Sequence, residues 1–316
     1  MKNDYKVITN LQSNYKIDTY KHSNYNIITS INSIYKVITN LFIYYIVITF
    51  LSPAYALTFS SNLTDGSLVY GRTDPNEKVF VENNYLNIGK NDKNLFQIPT
   101  DDQGRFVIGI PQDATKLTLT IKSPTHSETK TFFVQSRTWD EEYVTGLPPS
   151  KVQPDKKNQK RITDEAIQMK QARQLSEYPN FPDIFQNPVP LYTRISSRFG
   201  SRRILNNIKK QGHSGTDLAA PIGTPIVAPL DGKVVFIHSD IFLTGKTVMI
   251  DHGYGVFSSY SHLSQINVKL NQIVKTGDSI GLVGQTGRAT GPHLHFTITW
   301  YGVRINPEDL IFNPSK

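Results

Sequence analysis

Apolar and polar residues alternate strictly along His293-Leu294-His295-Phe296-Thr297-Ile298-Thr299-Trp300. A side-chain period of two belongs to a β-strand. The run therefore predicts a strand with Leu294, Phe296, Ile298 and Trp300 on a dry face and His293, His295, Thr297 and Thr299 on a polar face directed into a shared cleft. The same rule puts Ser258, Tyr260 and His262 together on one face of the run 256–262. Further short β-branched runs and Gly-rich turns fill residues 188–310, so the carboxy-terminal segment reads as a mainly β domain of antiparallel sheet.

Residues 57–135 are also strand-like, as in Lys78-Val79-Phe80-Val81, Arg105-Phe106-Val107-Ile108 and Leu117-Thr118-Leu119-Thr120-Ile121. The turn signals Asp65-Gly66, Asp74-Pro75 and Asp102-Gln103-Gly104 separate these runs. The pattern predicts a small antiparallel β-sandwich over 57–136, resembling the immunoglobulin-like modules of surface proteins, with a role as spacer, wall-binding module or structural cap. Residues 137–187 lose the alternation, become rich in Pro, Lys, Gln and Asn, and read as a linker. Within it the spacing predicts a helix over 161–175, with Thr163 as N-cap, Asp164 and Glu165 in the first turn, and Ile162 and Ile167 as a hydrophobic staple. Such a helix either packs on a domain or extends as an arm.

A decapeptide repeat occupies the first 52 residues, with Tyr at 5, 15, 25, 35 and 45. Copies this short and polar cannot bury a continuous core, so the array reads as an expansion at the gene level. Its last copy turns apolar over 41–51, behind Lys36 and ahead of Pro53 and Ala54-Tyr55-Ala56, which is the layout of a secretory signal peptide cleaved after Ala56. The apolar run is too short for a permanent span, which takes ~20 residues. The long polar lead-in leaves two readings open: a start further downstream, or a leader (1–56) retained as a membrane anchor. Either way the protein is expected to be exported, to the periplasm or cell envelope.

With 38% hydrophobic and 11% aromatic residues the chain is neither disordered nor collagen-like. It holds no cysteine, which excludes disulfides, Cys-based zinc fingers and lipoprotein attachment. Any transition metal must be held by His, Asp or Glu, and six of the eight histidines fall in 188–316. The formal charge is +8, of which five Lys and two Asp put +3 in the leader, leaving +5. That mild excess reads first as a solvated basic surface that favours solubility and second as an aid to adsorption on an anionic surface such as cell-wall polymer, membrane or nucleic acid, and no Arg/Lys-aromatic cluster points to nucleic acid.

Three motifs follow in order: His213-Ser-Gly-Thr-Asp217, Tyr260-Ser-His262-Leu263 and Gly291-Pro-His293-Leu-His295. A catalytic zinc takes three protein ligands and leaves one position open, and His213, Asp217 and His295 can supply a His/His/carboxylate set. A metal there polarises a carbonyl and acidifies water, while His262 and His293 are suited to take a proton and stabilise an oxyanion. Each motif alone is weak. An isolated H-x-H or H-x-x-x-D pair arises by chance with probability of order ~0.2–0.3, and a lone strand histidine is more often a structural hydrogen-bonder. Three motifs in order within one domain overturn that reading. Gly277-Asp-Ser-Ile-Gly281-Leu-Val-Gly284 has the wrong spacing for a phosphate loop, and His238 and His252 read as structural.

The order H-x-x-x-D, Y-S-H-L, G-P-H-L-H resembles the lysostaphin/LytM family of zinc metallopeptidases over residues 188–307. Supporting text includes Ser196-Ser197-Arg198-Phe199-Gly200, Ala228-Pro229-Leu230-Asp231-Gly232 and Thr286-Gly287-Arg288-Ala289-Thr290-Gly291. The resemblance implies an all-β catalytic domain with a long groove and one Zn2+ held by His213, Asp217 and His295. It also implies catalytic histidines at His262 and His293, Tyr260 as an oxyanion or substrate contact, and peptidoglycan cross-links or bridge peptides as substrate. The approach to the first ligand, 206–212, reads NNIKKQG and lacks the proline expected beside that histidine. The competing reading is a non-catalytic or autoinhibited wall-binding regulator of another hydrolase. Loss of ligands distinguishes the non-catalytic relatives, and none is missing here.

Overall fold

The structure, a computed structural model, describes residues 35–39, 57–82, 95–192 and 194–312. The repeat, the apolar run and the expected cleavage site lie almost entirely outside the described residues. Among the described residues no helix is long and apolar enough to cross a membrane.

The amino-terminal module is built from seven strands: β1 (Thr58–Phe59), β2 (Leu68–Arg72), β3 (Lys78–Glu82), β4 (Leu95–Ile98), β5 (Arg105–Gly109), β6 (Lys116–Lys122) and β7 (Ser127–Phe133). They form two antiparallel sheets, ordered β1-β2-β5 and β4-β3-β6-β7. Alternation along β3 and β6 buries Val79, Val81, Leu117, Leu119 and Ile121, while Phe106 and Ile108 are buried on β5. Phe59 on β1 meets Phe132 on β7 edge to face, with centroids 5.2 Å apart, so the two sheets touch through an aromatic pair.

The stretch read as a linker folds onto the carboxy-terminal domain. Strand β8 (Glu141–Val144) lies parallel to β10 (Arg202–Leu205), which forms a hairpin with β11 (Ile208–Lys209). The hairpin turns through Asn206 and Asn207 at φ 46° and 67°, a left-handed pair for which Asn-Asn is suited. A short helix α1 (Pro149–Val152) follows, then α2 (Lys156–Gln171). The N-cap of α2 is Asp155, whose carboxylate accepts from Asn158 N at 2.8 Å. The expected cap, Thr163, lies inside the helix and donates to Gln159 O. The sequence signal at 163–165 looked like a helix start because Asp and Glu follow Thr; they lie instead mid-helix, where Lys160–Asp164 and Arg161–Glu165 form i,i+4 pairs. Glu165 is buried, and its second oxygen accepts from Phe242 N at 2.9 Å. The helix is thus docked and is not a free arm.

The carboxy-terminal domain centres on an eight-stranded sheet. Its members are β9 (Arg194–Ser197), β12 (Thr216–Ala219), β14 (Gly232–Ile241), β15 (Gly245–Asp251), β16 (Val256–Leu263), β18 (Ile273–Val274), β20 (His293–Trp300) and β21 (Val303–Ile305). They run β18-β14-β15-β16-β20-β12-β9, with β21 also on β20. A second sheet, β13 (Pro225–Val227), β19 (Ser279–Leu282) and β17 (Gln265–Ile266), covers one end, and a helix α3 (Pro307–Ile311) closes the chain. Leu294, Phe296, Ile298 and Trp300 are fully buried, as the alternation of β20 predicts. The opposite face is covered as well: Thr297 and Thr299 are buried, so only the start of the strand opens on a cleft. One hydrophobic cluster runs from Val69, Val107 and Ile110 to Trp300 and Ile305. At Gly109 an added Cβ would lie 2.8 Å from Trp300 Cβ, so the two modules approach with no room for a side chain.

Candidate active site

Adjacent central strands bring the site together. The β12–β20 register sets Asp217 opposite His295, and the β16–β20 register sets Ser261 opposite His295. His213 lies just ahead of β12, separated from it by a bend at Ser214 and Gly215. Gly215 lies between His213 and Asp217, and a Cβ there would fall 2.2 Å from Phe296 O, so only glycine permits this approach.

His213 Nε2, Asp217 Oδ1 and His295 Nδ1 form a buried triangle with edges of 3.1, 2.7 and 3.0 Å. The tautomers follow from their partners. Arg198 O cannot donate, so His213 Nδ1–H donates to it at 2.9 Å, leaving a bare lone pair on Nε2. That lone pair faces the Asp217 carboxylate at 3.1 Å, two acceptors that repel unless a proton or cation lies between them. Ser214 Oγ lies 3.3 Å from His295 Nε2, so a Nε2–H there can donate and leave Nδ1 free to ligate. Two imidazoles and a carboxylate, each oriented by its other atoms, suit a divalent cation with nitrogen and oxygen preference.

Outside the triangle, Arg203 Nη2 donates to Asp217 Oδ2 at 2.8 Å and to Ser197 Oγ at 2.7 Å, while its Nε donates to Glu142 Oε2 at 3.1 Å. Burial pushes the Asp217 carboxyl up, but His213 and His295, when they carry the extra proton, outweigh it by charge and hydrogen bonding and hold the group well below the usual carboxylate range. Burial pulls His295 down to about 4 and His262 down to about 3, the latter helped by the neighbouring His293 and His295. Both are therefore neutral near pH 7.

His262 and His293 stand beside the triangle with ring centroids 4.7 Å apart, and His262 lies 5.9 Å from His295. His262 Nδ1–H donates to Thr286 O at 2.7 Å and His293 Nδ1–H to Gly291 O at 2.8 Å, so each Nε2 is free to accept a proton. His293 Nε2 lies 3.7 Å from Asp217 Oδ1. All five residues line one cleft of about 570 Å³, whose other walls include Glu142, Leu147 and Arg288.

Tyr260 is not among them, and its expected face corrects in two parts. Ser258 and Tyr260 do share a face, but it is the core face: Tyr260 is fully buried against Phe296, and Ser258 Oγ, Tyr260 OH and His252 Nε2 form a chain at 2.8 and 2.7 Å. His262 leaves that face because its φ is +64°, which breaks the alternation and swings its imidazole to the cleft. An oxyanion role for Tyr260 would require its hydroxyl to leave this buried chain. His252 also donates from Nδ1 to Asp231 O at 2.8 Å and is structural, as the sequence indicates, and half-buried His238 accepts from Asp240 N.

Sequence reasoning missed Arg203 and Glu142. Arg203 lies in the hairpin of the departing NNIKKQG segment, and Glu142 lies in the stretch read as linker. Neither carries a local signal, because both act through long-range pairing of β8 with β10.

A mainly antiparallel β domain with a buried His–Asp–His triangle beside two further histidines defines a metallopeptidase-like catalytic domain. The model of Peptidase family M23 matches residues 211–307, and the chain belongs to that family. It is 31% identical to a putative peptidase M23 from Pseudomonas aeruginosa, whose crystal structure superposes with a TM-score of 0.57 over 78% of this chain and 94% of that one. Over 120 residues it is 45% identical to the peptidoglycan DD-endopeptidase ShyA of Vibrio cholerae, and over 119 residues it is 44% identical to the DD-carboxypeptidase/endopeptidase Mpg of Neisseria meningitidis. These alignments cover 38% and 37% of this chain, and only 28% and 27% of the two relatives.

Proposed function

We propose that the protein is an exported zinc metalloendopeptidase that hydrolyses peptide cross-links of bacterial peptidoglycan in the periplasm or cell envelope. The observation that carries the proposal is the convergence of His213 Nε2, Asp217 Oδ1 and His295 Nδ1 on one point, with His262 and His293 beside it in an open cleft. Substrate class rests on the similarity to relatives named as peptidoglycan endopeptidases. In this reading residues 57–136 are a spacer or wall-binding module and 188–316 the catalytic domain.

In this proposal His213, Asp217 and His295 hold Zn2+, which when bound polarises the scissile carbonyl and acidifies water. Asp217 stays ionised because two imidazoles and Arg203 surround it. His262 accepts a proton at Nε2, since Thr286 O fixes the hydrogen on Nδ1. The imidazolium so formed can pass that proton to the departing amine. His293, once charged, can donate from Nε2 to the oxyanion. Buried neighbours strengthen each of these contacts by excluding water. Intact ligands favour catalysis over a purely wall-binding role.

Removal of metal with a chelator, followed by addition of Zn2+, tests the reading on purified cross-linked muropeptides. Loss and full recovery of peptide release is expected, and activity that survives complete demetallation would overturn it.

A further inference from the structure

The cleft has a neighbour. Gln211, Gly212 and Arg304 line both the cleft and a second cavity of about 640 Å³, which lies between the end of α2 and the β20–β21 turn. Three cations, Lys170, Arg173 and Arg304, line that cavity, and no Asp or Glu does. Arg173 Nε is buried and makes no hydrogen bond. Among the described residues neither Arg173 nor Arg304 forms an ion pair. Burial, and then the charge of Arg304, pushes Arg173 down to about 10, while Arg304 itself is an exposed residue at the edge of the cavity.

A buried donor without a partner is costly, and two guanidiniums that repel each other in a recess without a counter-charge are both relieved by an anion. The guanidinium fork matches a carboxylate in two parallel hydrogen bonds, so arginines suit that group better than lysine alone would. Stem peptides of peptidoglycan carry free carboxylates on acidic side chains and chain ends. Because three residues border both recesses, an extended peptide with its scissile bond in the cleft can place a nearby carboxylate in the second cavity.

We propose that the cavity bounded by Lys170, Arg173 and Arg304 is a carboxylate-binding subsite for the peptide substrate, which rests on the peptidoglycan reading given above. Arg173 and Arg304 take the carboxylate, and Lys170 stands at the rim. The subsite positions substrate and takes no part in bond breaking.

Calorimetric binding to the full chain tests it with an uncross-linked stem peptide, which offers no cross-link to cut, as the free acid and as the amide. The free acid is expected to bind roughly tenfold tighter than the amide, in keeping with a charge-assisted pair. In Arg173→Gln and Arg304→Gln that difference should collapse, with Lys170→Gln retaining most of it, and the thermal midpoint of each variant checks that it is folded. Equal binding of acid and amide by the unsubstituted chain overturns the proposal whether or not the protein cleaves anything. Tighter binding of inorganic phosphate than of the acid peptide, lost in Arg173→Gln, would mark a free-phosphate site and overturn the substrate assignment. Failure of the zinc-loaded chain to cut cross-linked peptide would sink the proposed function alone, leaving the binding comparison readable.

Discussion

Arg203 Nη2 donates to Asp217 Oδ2 at 2.8 Å, on the oxygen turned away from His213 and His295. The contact fixes which carboxylate oxygen faces the triangle, and Arg203 is itself held by Glu142. Removing such outer partners of a metal ligand typically costs about 10–100-fold in metal affinity. Arg203→Gln is therefore expected to weaken Zn2+ binding by roughly that factor, read by competition with a chromophoric chelator. Unchanged affinity would mean that Asp217 needs no such support.

Tyr260 offers the reverse test. Its hydroxyl ends the buried chain His252–Ser258–Tyr260 and does not reach the cleft. Tyr260→Phe should leave kcat within about twofold while lowering stability by about 1 kcal/mol, the worth of one buried hydrogen bond. A drop of a hundredfold in kcat with KM unchanged would restore the oxyanion role.

Gly215→Ala probes the close approach of the chain between His213 and Asp217 to strand β20. The added carbon would fall 2.2 Å from Phe296 O and 2.6 Å from Thr297 Cγ2, so β12 must move away from β20. A loss of about 1–3 kcal/mol in denaturant unfolding is expected, together with weakened metal binding. A variant as stable as the parent would show that the strand pair is more pliable than its register suggests.

Acid should weaken the fold through His252. Burial lowers its pKa from 6.5 to about 4, so the unfolded chain takes up a proton that the folded chain refuses. The share due to His252 is full above pH 6.5, falls between pH 6.5 and 4, and then levels, at about 3 kcal/mol by 1.36 kcal/mol per unit, alongside the acid losses of His262 and His295. Denaturant unfolding at several pH values should show a smaller acid loss in His252→Gln. An identical slope would place the linkage elsewhere.

Much of this fold is legible in the sequence because strand periodicity is local. The burial of Leu294, Phe296, Ile298 and Trp300, and the presence of His295 and His293 at one strand's mouth, follow from a period of two alone. The same rule fails at His262, where one left-handed residue overrides alternation; no β-branching or glycine there gives a warning. Polar composition also hides strand β8 at 141–144 and the first turn of the helix, which begins at Lys156 and not at the expected 161, because these parts are held by long-range contacts such as Arg203 to Glu142. Composition reports how much core a segment can bury, and it says little about a polar segment completed by another's edge.

Digestion of purified peptidoglycan by the zinc-loaded chain and by His295→Ala, with the released peptides read by mass spectrometry, puts the peptidase reading at risk. Release of un-cross-linked peptides by the first and none by the second is expected, with both proteins folded. Equal release by the two would contradict it, as would silence from a folded, zinc-loaded parent.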